Sequence, residues 1–208
     1  MTSSSRAAHH YRQGEILEAA FAIVREGGLS NLTMKKIADR ISLTEAAIYR
    51  YFPTKDNLIL VMHEHFRQMF IGMVNQITSR EDLSPAQRVA AIWRRLVAMN
   101  DSQDGFALRL IAETIAAADA KHLDRLKDFQ TEFLERLENS VSQVTPMDCP
   151  VQSRDLVMLM LGLPAALAIW GHVLDDAQIA MRVQDELIPF VLQCLTGMTE
   201  TEVTATIS

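Results

Sequence analysis

A chain of 208 residues, 49% of them hydrophobic, with 8 glycines and 6 prolines, carries ample material for a core without metal or disulfide staples. Its two cysteines, Cys149 and Cys194, share no CxxC spacing, which suits reduced thiols in the cytoplasm better than a crosslinked secreted scaffold. The net charge of −6 counts against nucleic acid only until its distribution is read: residues 1–80 hold 10 Lys and Arg against 7 Asp and Glu, whereas residues 81–208 hold 10 against 19. A mildly basic end can meet phosphate while the acidic remainder is repelled, which fixes the end that docks.

The start, MTSSSRAAHHYRQGE, is polar, lacks the apolar stretch of a signal peptide, and reads as a disordered tail containing His9 and His10. Helical spacing then begins. Ile16, Leu17, Ala20, Phe21, Ile23 and Val24 form a stripe that stops at Gly27-Gly28, suited to a left-handed helix end. Thr33 fits the cap of a short second helix with Met34, Ile37, Ala38 and Ile41 at i, i+3, i+4, i+7. Thr44 fits the cap of a third, about Glu45 to Tyr51, although Ser42 with Glu45 also matches a capping box. Pro53-Thr54 ends it and starts a long fourth helix, about Lys55 to Thr78.

Helices are expected next near Pro85–Met99, Gly105–Ala118, Lys121–Val144, Gln152–Leu174 and Ala177–Leu195. No segment alternates with period two, so the reading is all-α. It has an N-terminal three-helix unit with helix-turn-helix spacing over residues 1–56 and a larger C-terminal helical body over 57–208.

The densest signal is TEAAIYRYFPTKDNL, residues 44–58, which places three aromatics and an arginine in four residues. On a helix, Ala47, Ile48, Tyr51 and Phe52 turn inward, while Glu45 with Tyr49 and Ala46 with Arg50 pair at i, i+4 on the outer side. A helix this short needs a platform, and the one ending near Ile41 supplies it through a three- or four-residue turn. That is the geometry in which a second helix enters the major groove. In it Arg50 suits guanine or phosphate, Glu45 can accept from cytosine, and the Ala46 methyl can meet thymine. Tyr49, Lys55, Thr33 and Thr44 suit phosphate oxygens. The other open reading of YRYF is aromatic packing at a helix end.

The stretch GEILEAAFAIVREGGLSNLTMKKIADRISLTEAAIYRYFPTKDNLILVM resembles the DNA-binding module of the TetR family of bacterial transcriptional repressors. The likeness lies in the Ile-Leu-x-Ala-Ala opening, the glycine after helix one, the threonine before helix two, Ile37-Ala38, and the YxxF-x-x-K pattern ending at Lys55. The resemblance implies a homodimeric, two-domain, all-α repressor of a palindromic operator on double-stranded DNA. It also implies a divergent C-terminal domain that holds the dimer interface and commonly a ligand cavity. Two positions depart from the pattern. Ser42 stands where a turn glycine is usual, and Ala46-Ala47 stand where Gly-Thr is usual, so a threonine contact from there does not carry over. TEAAIYRYFPTK, ALRLIAETIAAADAKHLDRLKDFQTEFLERLENSV and LIPFVLQCL are also similar, more loosely, to the nucleoid-occlusion members of this family, which bind many chromosomal sites and restrain the division protein FtsZ. That is the alternative function.

Leu156–Leu174 holds 19 residues without a charge. Pro164, Gly162, Gly171 and His172 within it, and Asp155, Asp175 and Asp176 at its ends, argue against a membrane span. A helix apolar all round needs cover on every side, which the same helix of a second copy would provide, with Leu156, Leu159, Met160, Leu163 and Leu167 at the interface and the last helix beside them. A monomer's central helix is the plainer alternative. In the Lys121–Val144 helix, Leu123, Leu126, Phe133, Leu137, Val141 and Val144 are expected inside, with Glu132 and Arg136 paired outside. Met62, Phe66, Met69, Trp93, Phe106, Phe133, Met158, Met160 and Trp170 could line a cavity for a small apolar effector, or simply form core. Only His65, His172 and Arg109 could orient a polar one. No cofactor or metal is implied, because His63 and His65 face apart on a helix and no phosphate loop, nucleophile elbow or HExxH occurs. An enzyme is not expected.

Overall fold

A computed structural model describes the chain except residues 1–2, 102–105, 118–119, 146, 148–150, 175–181, 188, 192 and 194–208, and except the side chains of 3–6, 99–101, 106–109, 164, 167–174 and 183–184. The described residues form helices and the turns that join them, with no strand among them. Among the described residues the longer helices run in order: α1 (Ser3–Gly27), α2 (Met34–Arg40), α3 (Glu45–Tyr51), α4 (Lys55–Thr78), α5 (Pro85–Asp101), α6 (Phe106–Ala117), α7 (Ala120–Ser142) and α8 (Ser153–Leu174). A 3-10 turn, Leu29–Asn31, links α1 to α2. Val183–Leu187 forms a π-helical turn. Of the rest of the helix expected over Ala177–Leu195, residues 177–181, 188, 192 and 194–195 lie outside the described residues, as do Cys149 and Cys194.

The helices make two compact units, Met1–Arg67 with Phe106–Lys127, and Gln68–Gly105 with Asp128–Ser208. The unit bearing the helix-turn-helix thus draws on α6 and the start of α7 as well as on the first 67 residues. Its core is made by Ile16, Ala20, Phe21 and Val24 of α1, Ile37 of α2, Ile48 of α3, and Leu58 and Met62 of α4, all buried. Each fully buried aliphatic here contributes roughly 1.5–3 kcal/mol, which holds in place seven-residue helices that would not be stable alone. The Phe21 ring lies 5.4 Å from that of Phe66, joining α1 to α4.

α1 starts at Ser3, thirteen residues before its apolar stripe begins at Ile16. The sequence places His9 and His10 in a disordered tail, but the helix begins at Ser3 and the His9 ring packs on Tyr51 of α3 with centroids 4.8 Å apart. The extension is held by this contact, made 42 positions away, rather than by any apolar period of its own. α1 ends where its glycines stand: Gly28 has φ 79° and its N–H donates to the Val24 carbonyl at 2.8 Å. Glycine adopts that φ without steric cost.

In the second unit α5 packs on α8. α5 is opened by a capping box, with the Gln87 N–H donating to Ser84 Oγ at 3.2 Å and the Ser84 N–H donating to Gln87 Oε1 at 2.8 Å. Pro85 occupies the first helical position, where its missing N–H costs nothing. α5 buries Val89, Ile92, Trp93 and Leu96, and α8 buries Leu156, Val157 and Met160. Phe70 of α4 and Phe129 and Phe133 of α7 form an aromatic cluster with centroids 5.5–6.0 Å apart. Glu132 and Arg136 pair at 3.0 Å as their i, i+4 spacing requires.

Candidate nucleic-acid interface

α2 and α3 are both started by threonine. Thr33 Oγ1 accepts the Lys36 N–H at 3.1 Å, and Thr44 Oγ1 accepts the Ala47 N–H at 3.2 Å. Of the two starts the sequence allows for α3, the Thr44 cap is the one adopted. Between the helices the chain turns through Ser42 at φ 57°, with the Leu43 N–H donating back to the Ala38 carbonyl at 2.9 Å. Serine stands here in the left-handed region that glycine fills more readily. Glu26 near the end of α1 and Arg40 at the end of α2 form a bidentate pair, Nη1 to Oε2 at 2.9 Å, and the Arg40 hydrogen bonds hold the Glu26 carboxyl below its ordinary range.

On this frame α3 turns Ile48 fully inward, and Phe52 just beyond its end is buried. Ala47 and Tyr51, also expected inward, are only half-buried, Tyr51 because it lies against His9. Glu45, Ala46, Tyr49 and Arg50 are exposed together on the opposite side, Tyr49 to 46%. Thr33 and Thr44 are exposed at the helix starts. Lys55 is half-buried, and its Nζ lies 3.4 Å from the Leu29 carbonyl, leaving further ammonium donors. The exposed face therefore carries a carboxylate, a methyl, a phenol and a guanidinium within two turns, a set that can read base edges and hold phosphate. Lys35 and Lys36, exposed in the first turn of α2, escaped the sequence reading. Cations at a helix start oppose the helix dipole, and the Lys36 ammonium donates to Asn31 Oδ1 in the turn before it.

The residues expected to line an effector cavity are divided between the two units. Met62 and Phe66 are buried in the first unit, and Trp93 is buried in the second, where Met69 is half-buried and Met158 is 45% exposed. The side chains of Phe106, Trp170, Arg109 and His172 lie outside those described. His65 is exposed and leans on Phe21, centroids 5.2 Å apart. A groove of about 620 Å³ on the first unit, bordered by Tyr11, Gly14, Glu18, Ala22, Arg40 and Ile41, contains none of the residues expected for the cavity. Of the five residues expected at a dimer interface, Leu156 and Met160 are buried within the chain, Leu163 is half-buried, Leu159 is 48% exposed, and the Leu167 side chain lies outside those described. No helix among the described residues is long and apolar enough to cross a membrane.

A short capped helix set on a second through a tight turn, with one apolar face buried and one polar face free, defines a helix-turn-helix DNA-binding protein. Residues 16–62 match the model of bacterial regulatory proteins, tetR family. Over those residues the chain carries the DNA-binding module of this family. A curated relative, the nucleoid occlusion factor SlmA of Vibrio cholerae, is 26% identical over 134 residues, 64% of this chain and 66% of its own length, just under two thirds. Among solved structures, the ketosteroid transcriptional regulator KstR2 of Mycobacterium tuberculosis superposes with a TM-score of 0.69 at 17% identity, covering 89% of this chain and 95% of its own. AibR in complex with isovaleryl coenzyme A and operator DNA gives 0.70 at 17% identity, covering 90% of this chain and all of its own. At that identity the likeness is one of fold.

Proposed function

We propose that the protein is a cytoplasmic transcriptional repressor, without enzymatic activity, that binds a palindromic operator as a homodimer and leaves it when a small apolar effector binds. The observation that carries this reading is the exposed Glu45, Ala46, Tyr49 and Arg50 face of α3, anchored by buried Ile48 and Phe52. Arg50, Glu45 and Ala46 read bases, while Tyr49, Lys55, Thr33 and Thr44 hold phosphates, with Lys35 and Lys36 adding charge beside Thr33. Residues 1–56 form the DNA-binding domain, and 57–208 carry regulation and dimerisation. Fold neighbours named for a ketosteroid regulator and for a complex with isovaleryl coenzyme A support an effector with a substantial apolar part. An effector releases DNA only by its differential affinity for the free and bound conformations.

The nucleoid occlusion relatives favour a second reading, a protein that holds many dispersed sites and restrains the division protein FtsZ. Mapping chromosomal occupancy separates the two. The repressor reading expects fewer than about ten strong sites, beside regulated genes. Dozens of dispersed sites, with transcription nearby unchanged on deletion, would establish the occlusion reading instead.

A further inference from the structure

Residue Leu29, at the start of the turn between α1 and α2, is gripped from two sides. Its N–H donates to Oε2 of Glu113 on α6, a residue 84 positions away in sequence. Its carbonyl accepts both the Leu32 N–H at 3.2 Å and the Lys55 ammonium at 3.4 Å. α6 packs on α1 and on the 3-10 turn itself, so the carboxylate is delivered by a helix seated against the turn. A hydrogen bond from a backbone N–H to a carboxylate is roughly twice as strong as one to a neutral oxygen. Lys55 stands at the first position of α4, and an ammonium on four rotatable bonds is placed only if something fixes it. Here that something is the Leu29 carbonyl, and the residue bearing it is fixed by Glu113.

We infer that Glu113 is a positioning residue for DNA binding: by holding Leu29 it fixes the carbonyl that orients Lys55 toward phosphate, and so ties α6 to the DNA-facing end of α4. The inference rests on Lys55 as a phosphate ligand in the proposed function, and the two can fail separately. Glu113 carries negative charge, so a simpler effect on DNA would be repulsion, and that effect has the opposite sign.

The test measures binding of wild type, Glu113→Ala, Glu113→Gln, Lys55→Ala and the Glu113→Ala/Lys55→Ala double variant to a mixed-sequence duplex at low salt and to the strongest duplex recovered from chromosomal mapping. Glu113→Ala is expected to weaken both about three- to tenfold and to flatten the salt dependence by part of one unit, since a loosely held ammonium displaces counterions less effectively. Glu113→Gln, which keeps an acceptor oxygen, should retain most of the affinity. In the Lys55→Ala background, Glu113→Ala should add nothing, because the two act through one path. A full additional loss in that background would overturn the coupling while leaving the helix-turn-helix reading intact. Tighter binding by both Glu113 variants would replace positioning with repulsion. If Lys55→Ala changes neither affinity nor salt slope, the phosphate role of Lys55 falls and the inference with it, and a wild type that binds neither duplex overturns the proposed function itself. Amide exchange of wild type provides a reading independent of variant folding: Leu29 should be protected, and a freely exchanging Leu29 N–H would overturn the clamp.

Discussion

At the scale of the residue, the interface separates groups that read sequence from groups that only hold. Arg50 is exposed on α3 with a forked donor set that matches guanine O6 and N7, so Arg50→Ala should cost about 1–3 kcal/mol on the preferred operator and relax one base position. Lys55→Ala should instead weaken every sequence alike and lower the salt slope by about 1. Binding to a panel of single-base operator variants at several salt concentrations separates the two, and an equal loss on every sequence would demote Arg50 to a phosphate contact. Ser42 offers a test of the frame. It occupies φ 57° in the turn between α2 and α3, where a side chain crowds the backbone and glycine does not. Ser42→Gly should therefore stabilise by about 0.5–1 kcal/mol despite the extra freedom of glycine in the unfolded chain. That would appear as a rise of roughly 1–4 °C in Tm. A drop in Tm would mean that the hydroxyl does more in the turn than its backbone cost.

Among the elements, α4, α6 and α7 meet at a buried polar cluster. Thr114 of α6 donates its hydroxyl to the Leu110 carbonyl at 2.7 Å, which leaves its oxygen to accept from His63 Nε2 of α4 at 3.0 Å. Neutral His63 thus carries its proton on Nε2, and the His122 ring of α7 lies across from it with centroids 6.0 Å apart. Burial, with a smaller effect from the charge of His122, pushes the His63 pKa from 6.5 down to about 4. The unfolded chain then binds more protons than the folded one between those values, so this contribution is complete above pH 6.5 and is lost as pH falls toward about 4. Allowing for solvent at a half-buried ring, the loss is of the order of 2 kcal/mol. His63→Gln should flatten the fall in Tm over that window relative to wild type, and parallel curves for the two proteins would remove His63 as its cause.

What the sequence disclosed follows the same division by element. α2, α3 and the start of α4 were legible because their determinants are local: Thr33, Thr44 and Thr54 each cap the helix that follows, Thr54 Oγ1 accepting the Asn57 N–H at 3.0 Å. The His63, Thr114 and His122 cluster, the Glu113 contact to Leu29, and the early start of α1 on Tyr51 each join positions far apart in sequence. No local period encodes such pairings. α8 falls between: its lack of charge was plain, but when every face is apolar the pattern cannot say which one the chain itself covers.

At the scale of the whole molecule, that ambiguity bears on assembly. α8 buries Leu156, Val157 and Met160 in its own unit and leaves Met158, Leu159 and Gly162 exposed, positions that share one side of the helix at i, i+1 and i+4. This exposed side is where we place the homodimer contact, and the glycine in it makes the idea testable. A Cβ at Gly162 would meet nothing within 4 Å and the residue is exposed, so Gly162→Arg is expected to fold in the single chain. Replacing glycine within a helix should even favour the helix by up to about 1 kcal/mol. Across a two-fold contact, however, the same arginine would face its own copy, and two like charges buried without partners are strongly unfavourable. Gly162→Arg is therefore expected to remain helical and soluble, to sediment as a monomer where wild type sediments as a dimer, and to lose operator affinity while keeping weak non-specific binding. The affinity falls because two half-sites about 34 Å apart are no longer read by one particle. Sedimentation at micromolar concentration decides the matter: a monomeric wild type ends the dimer at this face, and a Gly162→Arg protein that remains dimeric moves the contact elsewhere on the chain.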